Sequence, residues 1–263
     1  MKFFNTAGPV NCERHYCLEP LSRFDLDEIL MLIDQHKYFI LHAPRQTGKT
    51  TCMLSLMNHL NKKGRTCLYI NVESAQASRE NIHEAMRAIL GEMASRAQTH
   101  LKNDFLEQVW LESVEQRGHS ALNHLLTRWS EMDQDPKVLI IDEIDSLIGD
   151  TLISVLRQLR AGYDKRPYSF PQSIILCGVR DIRDYRIHSS AEKTIITGGS
   201  AFNIKAKSLN LGSFSHQEMI QMYDNHTQHT GQQFTEKAYE KLWNILKANP
   251  GLSMHWAMKS VLK

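Results

Sequence analysis

Apolar positions along the chain follow two rhythms. Mostly apolar stretches over 38–41 (Tyr-Phe-Ile-Leu), 67–72, 138–141 and 173–179 read as strands, and the unbroken run over 138–141 as one buried on both faces. Between them apolar residues recur three and four apart, the spacing of one helix face. This holds for Leu26, Ile29, Leu30 and Ile33, for Met53, Met57 and Leu60, and for Leu152, Val155, Leu156 and Leu159. Asp25 stands where an N-cap belongs, and Gly64 follows two lysines as a helix C-terminus prefers. A fifth strand, partly alternating, is expected over 203–211. Strands separated by helices imply βαβ units and a mostly parallel sheet.

Between the second and third strands lie three helical stretches, more than one crossover needs. The first carries Ile82, Ala85, Met86, Ile89, Leu90 and Met93; the second, weaker, runs over 101–114; the third carries Leu122, Leu125, Leu126, Trp129 and Met132, with Ser120 as its expected cap. They form a helical insert of about 76–133, or simply a thicker helical layer. After the last strand, Ser215 and Glu218 make a capping box and Phe214 is placed to staple onto Met219. A further helix carries Leu242, Ile245 and Leu246. The expected division is an arm over 1–24, a core over 25–212 and a small helical lid over 213–263.

The first strand leads into Ala43, Pro44, Arg45, Gln46, Thr47, Gly48, Lys49, Thr50 and Thr51. This is the spacing of a phosphate-binding loop, G-x-x-x-x-G-K-[ST], with alanine in the first glycine position. A loop wrapped over a helix N-terminus offers several backbone N–H groups to one anion, and the helix dipole adds partial positive charge there. Lys49 is expected to reach the β- and γ-phosphates, and the Thr50 hydroxyl to sit on Mg²⁺. Alanine at 43 fits if its φ stays negative.

The strand over 138–143 ends in two adjacent carboxylates. Asp142 is expected beside the metal and Glu143 where it polarises a water. Together the two motifs point to ATP hydrolysis by in-line attack of water on the γ-phosphorus. Arg180, just after the fourth strand, reaches the γ-phosphate if that strand lies between the first and third; the alternative is a loop over 179–188 held by Arg–Asp pairs. Arg157 and Arg160 read as a solvated helix face, with an arginine finger toward a neighbouring subunit as the sharper alternative. In the first 24 residues, Arg14, His15 and Tyr16 are candidates for contact with the adenine base, with a plain surface arm as the equal alternative.

Composition narrows the partners. The net charge of +2 does not advertise nucleic-acid binding; it stays possible, but no basic stripe or recognition helix supports it. No apolar run approaches a membrane span, and the first ten residues lack a secretory core. Five cysteines without CxxC spacing read as thiols of a cytoplasmic protein. A homo-oligomer or a protein partner stays open. So do two other readings: a nucleotide-gated scaffold with little turnover, and a P-loop kinase.

The segments APRQTGKT (43–50), LIIDEID (139–145), LCGVRDIRDYRIHSS (176–190) and AFNIKAKSL (201–209) resemble the bacterial AAA-like P-loop ATPases, near the AAA+ and STAND groups. The likeness runs to about residue 246 and includes alanine at 43. It implies a three-layer αβα sandwich with sheet order 5-1-4-3-2, ATP, Mg²⁺ and a helical lid. Past residue 247 the chain departs: KANPGLSMHWAMKSVLK stands where relatives continue with a GQPWLVNAL-like segment. One codon choice for this tail spells GQPWLVNALGYEVCFK when read two nucleotides later. The expectation is a frameshifted, truncated end, which the coding DNA decides.

Overall fold

A computed structural model describes residues 2–5, 8–189, 192, 194–212 and 214–248. The chain divides into two compact units. One holds the described residues of 1–26, 43–55 and 210–263; the other holds 27–42 and 56–209.

The larger unit is built on a five-stranded sheet. Its strands are β1 (Tyr38–His42), β2 (Thr66–Asn71), β3 (Lys137–Asp142), β4 (Ser173–Gly178) and an edge strand after a small hairpin, Lys205–Asn210. The hairpin pairs β5 (Arg186–Ser189) with β6 (Thr194–Thr197) antiparallel, so the edge strand is β7. The order is β2-β3-β4-β1-β7. This is the expected 5-1-4-3-2 order, with the hairpin inserted before the last strand. β1, β2, β3 and β4 run parallel, with Asn71 opposite Asp142 and His42 opposite Gly178. Every residue of β3 and β4 is buried, including the polar Lys137, Asp142 and Ser173 at their ends, as central strands of a parallel sheet should be.

Helices α1 (Leu26–Asp34) and α2 (Lys49–Lys62) flank β1 in the chain. The three stretches between β2 and β3 are α3 (Ile82–Arg96), α4 (Phe105–Arg117) and α5 (Ala121–Glu131). Met86, Ile89, Leu90, Leu122, Leu125 and Trp129 enter one core with Leu68, Ile70, Leu139 and Ile141 of the sheet. Asn81 caps α3 through Glu84 N–H at 3.2 Å. Ser120 does not cap α5: its hydroxyl donates back to the Arg117 carbonyl at 3.0 Å, because one turn of 3₁₀ helix already joins α4 to α5. Helix α6 (Gly149–Ala161) follows β3, and one helical turn, α7 (Gly198–Ala201), follows β6.

In the smaller unit, α8 (His216–Thr230) starts on the expected capping box, with Ser215 accepting from Glu218 N–H and Glu218 accepting from Ser215 N–H. Helix α9 (Glu236–Ala248) follows Gly231, whose φ of 75° closes α8. Phe4, Tyr16 and Leu18 pack with Met219, Met222, Tyr223, Leu242 and Leu246. Tyr16, expected near a base, is thus a core residue of this unit, 3% exposed. Cys12 and Cys17 are bonded to each other, against the expectation of five thiols; a five-residue separation brings their Cα atoms to 5.1 Å, within disulfide reach. Cys52, Cys67 and Cys177 are free and buried. The tail expected to depart from the family lies, from 249 on, outside the described residues.

Candidate functional site

In the smaller unit, the loop opens at Ala43, which is buried and is not among the residues of positive φ, as alanine there requires. Gln46 (φ 62°) and Gly48 (φ 87°) carry the left-handed turns. A Cβ on Gly48 would meet nothing nearer than Arg23 Nη1 at 3.8 Å, so backbone conformation, and not space, calls for glycine. The Thr47 hydroxyl donates to the Pro44 carbonyl at 2.7 Å, tying the two sides of the loop. Lys49 begins α2, and its ammonium donates to the carbonyls of Ala43 at 3.1 Å and Pro44 at 3.4 Å. It is only 5% exposed, a buried cation held against the loop it belongs to. Pro44, Arg45 and Gln46 are exposed, and Thr50 is half-buried. Thr51, expected to face nucleotide, accepts from Val10 N–H at 3.0 Å.

Sequence reasoning missed Arg23. Its side chain is 4% exposed. Nη1 donates to the Thr47 carbonyl at 3.2 Å and Nη2 to the Gly212 carbonyl at 3.0 Å. The guanidinium lies 3.9 Å over the Phe214 ring, and Nε is 3.8 Å from Glu218. Burial lowers its pKa, with Glu218 acting in the opposite sense. Cys52, in the first turn of α2, donates to the Pro20 carbonyl at 3.3 Å, and burial pushes its thiol up to about 11.

In the larger unit, β3 ends at Asp142, fully buried. Tyr69 Oη donates to its Oδ2 at 2.9 Å, and Glu143 N–H donates to its Oδ1 at 2.9 Å. These two bonds hold the carboxylate plane. Glu143 itself sits at φ 57°, ψ 38°, the left-handed region that non-glycine residues seldom occupy. Strain of this kind collects at functional positions. Asp145 Oδ1 accepts from Val179 N–H at 3.1 Å. A Cβ on Gly178 would come within 2.7 Å of that oxygen, so the glycine makes room for the carboxylate at the end of β4.

Arg180 follows directly and is exposed; β4 does lie between β1 and β3. In the loop after it, Asp181 is clamped by Lys205 of β7, whose ammonium donates to both oxygens at 2.5 and 2.6 Å. Burial raises the Tyr185 phenol well above its ordinary range, with Asp145 adding to the effect. Arg157 pairs with Glu192 at 2.6 Å, both about half exposed, and Arg160 donates to the Ser200 carbonyl at 3.3 Å.

A model of the AAA domain matches residues 33–185, more than half of the 263-residue chain. The chain belongs to the AAA domain family. The fold agrees: a Walker-type ATPase of Pyrococcus abyssi superposes on 94% of this chain and 71% of its own, with TM-score 0.61 at 15% identity. Domain III of the Thermotoga maritima replication initiation protein DnaA does so over 97% and 89%, with TM-score 0.50 at 14% identity. Among curated proteins none matches this AAA domain chain. The parallel order of its sheet is that of a P-loop NTPase, and among the described residues no helix is long and apolar enough to cross a membrane.

Proposed function

We propose that this chain binds ATP on the loop 43–51 and hydrolyses it to ADP and phosphate. The sheet order carries the reading: β1 hands the chain to the loop, β3 ends in Asp142, and a single parallel strand separates them. In open α/β sheets, ligands gather outside the carboxyl ends of the strands.

In this account Lys49 exchanges the Ala43 and Pro44 carbonyls for phosphate oxygens, so its buried charge gains a better partner. The loop amides and the α2 N-terminus take the remaining phosphate charge. Asp142 and the Thr50 hydroxyl are hard oxygen donors that suit Mg²⁺, and the Tyr69 hydroxyl orients the carboxylate from behind. Bound Mg²⁺ supplies charge neutralisation at the phosphoryl oxygens. Glu143 accepts a hydrogen bond from water and turns it in line with the γ-phosphorus. Arg180 meets the γ-phosphate and stabilises charge on it during transfer. Turnover then drives a conformational switch that acts on a partner or on another copy of the chain.

Phosphate release from ATP and Mg²⁺ with no added acceptor tests the reaction type, since a kinase would require one. Lys49→Ala is expected to abolish nucleotide binding. Glu143→Gln is expected to keep binding and lose turnover; a scaffold with little turnover would show no such difference.

A further inference from the structure

Both terminal nitrogens of Arg23 donate to main-chain carbonyls, one of them Thr47 in the phosphate-binding loop. Burying a guanidinium is costly, and packing alone could be supplied by an apolar side chain. What an arginine adds is a rigid fork with two donors at fixed spacing. One arm takes the Thr47 carbonyl, the other Gly212. The Phe214 ring covers one face of the group, 3.9 Å away.

The Thr47 carbonyl belongs to the peptide that ends in the Gly48 N–H. In a trans peptide the carbonyl and the N–H point in opposite directions. Holding the carbonyl toward Arg23 therefore turns the Gly48 N–H away from it. Glycine at φ 87° leaves this peptide free to rotate at little steric cost, so something outside the glycine has to choose its orientation. Thr47, 1% exposed and bonded through its hydroxyl to Pro44, holds the residue but not the carbonyl.

We propose that Arg23 is a positioning residue for nucleotide binding: its grip on the Thr47 carbonyl presets the Thr47–Gly48 peptide so that the Gly48 N–H faces the incoming phosphate. The proposal rests on the reading of 43–51 as a phosphate-binding loop. Without Arg23 the loop samples a second peptide orientation, and the apparent affinity falls by the fraction of molecules left competent. Once nucleotide is bound, the phosphate itself selects the right orientation, so the chemical step is preserved.

Hydrogen exchange over residues 43–52 in the nucleotide-free protein, joined to ATP calorimetry and steady-state turnover, tests this in Arg23→Lys and Arg23→Gln. Lysine keeps the charge and the fold while offering no two-armed fork. The expected result is loop exchange about tenfold faster, an ATP Kd and KM about tenfold higher, and kcat at saturating ATP within twofold of the parent. Glu218→Gln, which alters the neighbouring charge and leaves both carbonyl bonds, is expected to match the parent. Loop exchange at the parent rate in Arg23→Lys, or ATP affinity within twofold of the parent, overturns the proposal. A merely structural role would lower the melting temperature and leave the KM of the folded protein unmoved. If the parent itself takes up no ATP, the functional reading fails, and loop exchange alone still decides whether Arg23 sets the peptide.

Discussion

A carboxylate with no exposure survives inside a sheet only when hydrogen bonds replace water, and Asp142 shows how this chain does it. Its two oxygens are bonded by the Tyr69 hydroxyl and the Glu143 amide. Tyr69→Phe removes the first of these without opening space. A buried acceptor that loses its donor costs about 1–3 kcal/mol, and denaturant unfolding of the variant is expected to show a loss in that range. An unchanged unfolding midpoint would mean that Tyr69 does not support the carboxylate. Asp142 and Glu143 were legible from the sequence because two acids close its most apolar strand. Tyr69 was not, because its strand reads as buried and a tyrosine there is indistinguishable from packing. Arg23 was hidden for another reason: its partners lie 24 and 189 residues away, so local pattern carries no trace of them.

Between elements, the close contact at the ends of β3 and β4 does similar work. Asp145, just past β3, caps the Val179 amide just past β4, and Gly178 leaves room for it. Gly178→Ala puts a methyl group 2.7 Å from the Asp145 carboxylate and forces it off that amide. The expected cost is about 1–2 kcal/mol in thermal or denaturant unfolding, with reduced ATP turnover because Arg180 follows Val179 directly. A variant as stable and as active as the parent would show that this contact is incidental. Most elements here were readable. The parallel strands announce themselves as short, mostly apolar runs, and α8 by its capping box. The β5–β6 hairpin was not readable: β5 buries only alternate residues of a four-residue strand and β6 is largely exposed, so neither strand carries an apolar run to betray it. Strand order, too, came from resemblance and not from pattern, since strands buried on both faces look alike in sequence.

For the molecule as a whole, ligand binding has to appear as stability. A nucleotide that binds only the folded chain stabilises it by about 2.7 kcal/mol at a hundredfold excess over Kd. ATP with Mg²⁺ is therefore expected to raise the melting temperature of the parent by several degrees and to leave Lys49→Ala unmoved. An equal rise in both would place binding elsewhere than the loop. Light scattering with and without ATP, on the same samples, reads whether the proposed switch changes assembly.

Everything proposed for this chain turns on Glu143 activating the water that attacks a triphosphate held through Lys49. The most direct test measures ATP affinity and phosphate release side by side in the parent and in Glu143→Gln, with Mg²⁺ present. The predicted result is affinity within a few-fold of the parent and turnover reduced by about a hundredfold or more, the scale of losing a positioned general base. Equal turnover in the two proteins, or no nucleotide bound by the parent, would contradict it.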